Sequence, residues 1–395
     1  MALELDLLNE DLQNKEGLDD LEIPVEQINN AVLWGTDWTA ETVVTQMTKK
    51  KIDLNPNFQR REAWDDKRKS AFIESLICGF PIPQIILAES KAKNGSYIVI
   101  DGKQRLLSLR RFFATNDDHE FQPLRLRGLE VLKDLNGKTF EEIKDDPAIS
   151  SYVDAAENQS IRTTIIKNWP SEEFLYNVFL RLNTGSLPLS TQELRQALHP
   201  GAFLDYCDQY SYNNANIRRI LNITKPDYRM RDIELMVRYY AFKHYANEYN
   251  GNLKTFFDDS VSRLNQMWNQ EHPELEADAA DLDAAIELTY RIFETNAFRK
   301  WKNGSFDNRF NRAVFDIMVY YFSKQDVRAA TEGHEQEIKT AFVNECTNNL
   351  EFLSSFETST KNARPTQCRY TRWGTLLSDI LGVELQIPVI PNGAE

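Results

Sequence analysis

An aspartate and a glycine separate a β-favouring run from a helix-forming run in Ser96 to Phe113, and Lys103, Gln104 and Arg105 follow them at once. Tyr97, Ile98, Val99 and Ile100 predict a buried strand, while Leu106, Leu109 and Phe113 recur at helical spacing. A strand that turns through Asp101-Gly102 into a helix aims backbone N–H groups, the positive end of the helix dipole and fixed polar side chains at one spot, which suits a phosphate. Gly102 permits a tight turn with backbone close to a ligand. The ordinary alternative is a strand-to-helix turn in which Asp101 caps the helix and Arg105 makes a surface ion pair.

The segment upstream carries a second polar group. In Asn55 to Pro83, Asp65 or Asp66 caps a helix whose apolar positions include Phe72, Ile73, Leu76 and Ile77, and Gly79 with Pro81 stops it. Its lead-in, Phe58-Gln59-Arg60-Arg61 followed by Trp64, sets guanidinium and amide groups beside two aromatics, a set able to grip phosphate and stack on a base. Pro81-Ile82-Pro83 then feeds a second strand from Gln84 to Leu87. Farther on, Asn183-Thr184-Gly185-Ser186 lies between a helical stretch, Phe174 to Leu182, and a capping-box helix start at Ser190-Thr191-Gln192-Glu193. These residues make a polar helix-helix turn, with Gly185 at positive φ, or an approach to phosphate oxygens or a bound metal.

Taken together, Pro56-x-Phe58-Gln59-Arg60, Trp64, Gly79-x-Pro81-x-Pro83, Asp101-Gly102-x-Gln104-Arg105 and Arg181-Leu182-Asn183-Thr184-Gly185 with Leu189 and Glu193 resemble the N-terminal domain of GmrSD-type restriction endonucleases. The motifs fall in the family's order over roughly residues 20 to 200. The resemblance implies a ParB/sulfiredoxin-like α+β fold and a nucleoside-triphosphate site, with Asp101, Gln104 and Arg105 catalytic. It further implies that Phe58, Gln59, Arg60, Trp64, Gly102, Lys103, Asn183, Thr184 and Gly185 bind the nucleotide, with or without Mg2+. The sequence departs from the family at Lys103, where a second glutamine is usual; a lysine there adds a phosphate contact or faces solvent.

Three regions are expected: an acidic arm over residues 1–20, the α+β nucleotide-binding domain over 21–200, and a mainly α-helical domain over 201–395. In the α+β domain, Arg125 to Leu129 reads as β-rich and Ser160 to Lys167 as a strand. In the helical domain the periodic runs are Ile233 to Tyr245, Leu282 to Phe293 and Phe310 to Phe322, with His272-Pro273 in a loop. At 395 residues, 42% hydrophobic and 27% charged, the chain can bury proper cores without staples. Four scattered cysteines suggest neither a disulfide framework nor a zinc site. No run of about 18 apolar residues and no basic-then-apolar leader is present, so no membrane contact and a cytoplasmic location are expected.

A net charge of −14 argues against nonspecific coating of nucleic acid. Local basic clusters remain. The one from Arg364 to Trp373 interleaves Arg364, Arg369 and Arg372 with Tyr370 and Trp373, a mixture suited to DNA, although most such runs are solvated faces. The five histidines show no paired metal-ligand spacing and no H-N-H signature, so no metal site and no nuclease are assigned; Asp258, Asp259, Asp278, Asp281 and Asp283 read as solubilising acids. The function expected is a triphosphate-binding, hydrolysing sensor or regulator in phage defence or DNA modification, acting with DNA or a partner effector protein. The alternative is a non-catalytic DNA-binding or assembly module.

Overall fold

The computed structural model describes residues 31–52, 54, 61, 63–91, 93–182, 190–357 and 361–391. The chain is α+β in its first half and mostly helical in its second, and it divides into two compact units that meet in sequence between Leu198 and His199.

The N-terminal unit is built on a four-stranded mixed sheet of β1 (Val32–Thr39), β2 (Ile85–Glu89), β3 (Tyr97–Asp101) and β4 (Ser160–Lys167), in the order β1-β4-β2-β3. β1 runs antiparallel to β4 with Trp38 opposite Ile161, β2 runs parallel to β4, and β3 returns antiparallel to β2. Alternation along β4 sends Ile161 and Ile165 to one face and Ile166 to the other. Against the first face lie α1 (Ala40–Thr48), α2 (Asp66–Ile77), α3 (Lys103–Phe112), α4 (Phe140–Lys144) and α5 (Ser151–Asn158), contributing Val43, Ile73, Leu76, Leu107, Phe140 and Ala156. Against the second lie α6 (Glu172–Leu182) and α7 (Thr191–Leu198), contributing Phe174, Leu175 and Leu194. The sheet is therefore the middle of three layers, and the two-sided burial of β2 explains its unbroken Ile85-Ile86-Leu87-Ala88 run.

Local chemistry sets the helix starts. Asp65, not Asp66, caps α2 by accepting from the Arg68 N–H at 2.8 Å. Asp66 instead gathers Arg111 at 2.9 Å and Arg127 at 3.0 Å; burial pushes its carboxyl up, but these cations and Lys69 bring it below the ordinary value. The β-rich reading of Arg125 to Leu129 is corrected: this stretch is a loop whose Leu124, Leu126 and Leu129 enter the core. Its backbone donors are met without a sheet: the Arg127 N–H donates to Ser70 Oγ, the Leu129 N–H to Asn136 Oδ1 and the Leu126 N–H to the Lys138 carbonyl, and just beyond it the Glu74 carboxylate accepts from the N–H groups of Glu130, Val131 and Leu132.

The C-terminal unit comprises α8 (Ala202–Asn213), α9 (Ala215–Leu221), α10 (Arg231–Tyr245), α11 (Leu253–Phe293), α12 (Arg312–Phe322), α13 (Gln325–Ala330), α14 (Glu335–Asn348), α15 (Leu350–Ser354) and α16 (Ala363–Leu381), with a two-stranded ribbon of β5 (Trp301–Lys302) and β6 (Ser305–Phe306). α11 is its spine: 41 residues, about 60 Å of helix, packed against α8, α9, α10, α12, α13 and α14. His272 and Pro273 lie inside this helix rather than in a loop. The carbonyl that Pro273 leaves without a donor belongs to exposed Asn269, where water can meet it, while buried Leu264 and Leu275 hold the helix on either side. Apart from exposed Asp259, the acids of α11 also depart from the solubilising reading. Asp258 pairs with Lys254 at 2.8 Å, Asp278 with Lys243 at 2.6 Å and His244 at 2.7 Å, Asp281 with Arg328 at 2.7 Å, and Asp283 accepts from Tyr210 and Asn214. Most of them tie α11 to its neighbours. A buried Arg238–Asp316 pair at 2.5 Å joins α10 to α12 in the same way. No helix among the described residues is long and apolar enough to cross a membrane.

Candidate functional site: the turn between β3 and α3

β3 ends at Asp101, and the chain turns through Gly102 at φ 102°, a conformation L side chains rarely adopt, directly into α3. A Cβ on Gly102 would lie 3.2 Å from Ile85 Cγ1 and 3.3 Å from Arg105 Nη2. Gly102, with no side chain to offer, stands at the N-cap of α3. This corrects the capping alternative for Asp101. Its Oδ2 accepts from Arg105 Nη2 at 2.8 Å, and the same nitrogen donates to the Gln84 carbonyl at 3.0 Å. The arginine is 8% exposed, which also corrects the surface ion pair, and among the described residues its buried Nε has no hydrogen-bond partner.

Gln104 reaches the other way. Its Oε1 accepts from the Trp64 backbone N–H at 3.2 Å, and Trp64 packs edge-on against Phe72 with the Arg68 guanidinium 5.2 Å from its ring centre. Lys103 does not face solvent. Its Nζ lies 2.7 Å from Glu193 Oε1, with both side chains 6% exposed. Glu193 Oε2 accepts from the Ser190 N–H at 2.7 Å, and the Glu193 N–H donates to Ser190 Oγ at 3.0 Å, which is the capping box expected from the sequence.

The structure thus brings Trp64, Asp101, Gly102, Lys103, Gln104 and Arg105 to one turn. Phe58, Gln59, Arg60, Asn183, Thr184 and Gly185 lie outside the described residues. Glu193 is a contact that reasoning from local pattern did not place at the site. Its capping role was legible, but its partner Lys103 is 90 residues away.

The C-terminal nucleic-acid set is not a surface. Arg369 is 1% exposed and Tyr370 and Trp373 are 0% exposed, packed among Phe242, Tyr320, Phe322 and Phe342. Only Arg364 and Arg372 of that set are exposed. Gly374 makes this packing possible, since a Cβ there would lie 2.3 Å from the Tyr321 hydroxyl. Elsewhere, Arg110 is bound to Asp118 at 2.5 Å and Arg231 to Asp227 at 2.9 Å, so these arginines are already neutralised.

Residues 42–200 match the family described as GmrSD restriction endonuclease, N-terminal domain. No curated protein and no solved structure matches the chain.

Proposed function

Because residues 42–200 belong to the GmrSD restriction endonuclease N-terminal domain family, a family of restriction systems, we propose that this chain binds and hydrolyses a nucleoside triphosphate at the β3–α3 turn and reports its occupancy in phage defence. The observation that carries the proposal is the left-handed turn through Gly102 into the start of α3, next to a nine-tenths-buried arginine whose Nε has no hydrogen-bond partner among the described residues. First-turn N–H groups and the helix dipole receive phosphate oxygens there. Arg105, held from one side by Asp101 and Gln84, presents the rest of its guanidinium as a fixed charge for the γ-phosphoryl group. Phosphoryl transfer asks mainly for such positioning and charge stabilisation.

Gln104, anchored to the Trp64 backbone, orients the attacking water or the base, and Trp64 supplies an aromatic edge. Asp101 spends Oδ2 on Arg105 and leaves Oδ1 open for a water or for a magnesium ion, which would add charge neutralisation on the phosphates. The helical unit then delivers the nucleotide state to DNA or to a partner effector. The engagement of Asp101 with Arg105 also favours a second reading, a module that binds without turnover. Phosphate release from the four ribonucleoside triphosphates with magnesium tests the proposal. Turnover that is lost in Asp101→Asn while affinity persists supports hydrolysis. Binding without release in the wild type leaves the non-catalytic module, and absence of both overturns the site.

A further inference from the structure

A buried ion pair is weak evidence for stability, since desolvation offsets most of its attraction. The Lys103–Glu193 pair therefore calls for another account. Lys103 is the first residue of α3, and its ammonium is held 2.7 Å from Glu193. Glu193 divides its two oxygens: Oε1 takes the lysine, and Oε2 takes the Ser190 N–H at the start of α7. One carboxylate thus joins the proposed phosphate turn to the first turn of a second helix.

We infer that Glu193 is a positioning residue that restrains the Lys103 ammonium in the empty site and yields it to an incoming polyphosphate. The inference rests on the phosphate reading of the turn. A triphosphate carries three to four negative charges against the single charge of the carboxylate, and it docks on the helix end from which Lys103 projects. Losing the lysine does not strand Glu193, because Oε2 keeps the Ser190 N–H and the capping box survives. Affinity at the turn is then set by a competition between ligand and Glu193 for one cation, and the contact between Lys103 and α7 breaks when the ligand arrives.

The test is calorimetric titration of the full chain with inorganic triphosphate, in the wild type, Glu193→Gln, Lys103→Gln and the double variant. Glutamine is accepted at the same capping-box position, so Glu193→Gln keeps the start of α7, which circular dichroism checks. The expected result is roughly tenfold tighter binding by Glu193→Gln, weaker binding by Lys103→Gln, and no gain from Glu193→Gln once Lys103 is already glutamine. A merely structural Glu193 cannot raise affinity when it is removed. Unchanged or weaker binding by a folded Glu193→Gln overturns the inference, as does a gain that persists without Lys103. Failure of the wild type to bind inorganic triphosphate overturns it too, while the nucleotide reading stands or falls separately on phosphate release.

Discussion

Replacing Gly102 by alanine tests the turn on which the site depends. At φ 102° an L residue carries about 1–3 kcal/mol of backbone strain. The new methyl also meets Ile85 Cγ1 at 3.2 Å, Arg105 Nη2 at 3.3 Å and Ile85 Cγ2 at 3.4 Å. Ile85 is 1% exposed in the sheet and cannot swing away, so crowding adds about 1 kcal/mol. The sum, about 2–4 kcal/mol, lowers the folded-to-unfolded ratio of the N-terminal unit roughly 30- to 700-fold. Because the chain has two units, the readout is amide exchange in urea on peptides from β3 and α3, which report this unit alone. Phosphate affinity falls with stability, since the methyl displaces the Arg105 guanidinium. A loss below about 0.5 kcal/mol, the range of an ordinary surface change, would show that the turn relaxes freely and refute the reasoning.

Trp373→Ala is expected to cost the helical unit about 3–5 kcal/mol, whereas Arg372→Ala, one position away on the exposed side, stays within about 0.5 kcal/mol; chemical denaturation followed by circular dichroism separates them. Asp316→Ala removes the close partner of buried Arg238, leaving Glu234 at 4.0 Å, and is expected to cost about 3–5 kcal/mol in the same assay. Burial pushes the Glu74 carboxyl up, but hydrogen bonds from the N–H groups of Leu132, Glu130 and Val131 bring it below its ordinary 4.5. A carboxyl whose folded pKa is depressed contributes stability above its unfolded value and loses it as pH falls through the folded one. Glu74→Gln is accordingly expected to flatten the acid limb of the stability–pH curve of the N-terminal unit below about pH 4.5, measured by urea midpoints across pH.

What was legible in the sequence was local. β4 matches its alternating pattern from Ser160 to Lys167, Asp65 caps α2, and the Ser190–Glu193 box starts α7. What was not legible depended on distant partners. Glu193 meets Lys103 across 90 residues, and Glu74 satisfies the loop at 130–132 from the middle of α2. The Arg364 to Trp373 segment failed for a different reason. Tyr370, Trp373 and Leu377 stand three and four apart, the spacing of a helix face turned to a core, and the alternation of aromatic and arginine was given more weight than that period. Arg125 to Leu129 failed because buried leucines in a loop mimic a strand when a hydroxyl, an amide oxygen and a lone carbonyl from distant residues replace the ladder.

The spine helix α11 has a consequence for how the helical unit comes apart. Six neighbouring helices bury their faces against it and several are tied to it through its own acids, so none can detach without exposing part of the surface the others share. Such an arrangement suppresses partial opening. The helical unit is expected to lose its structure in one cooperative step.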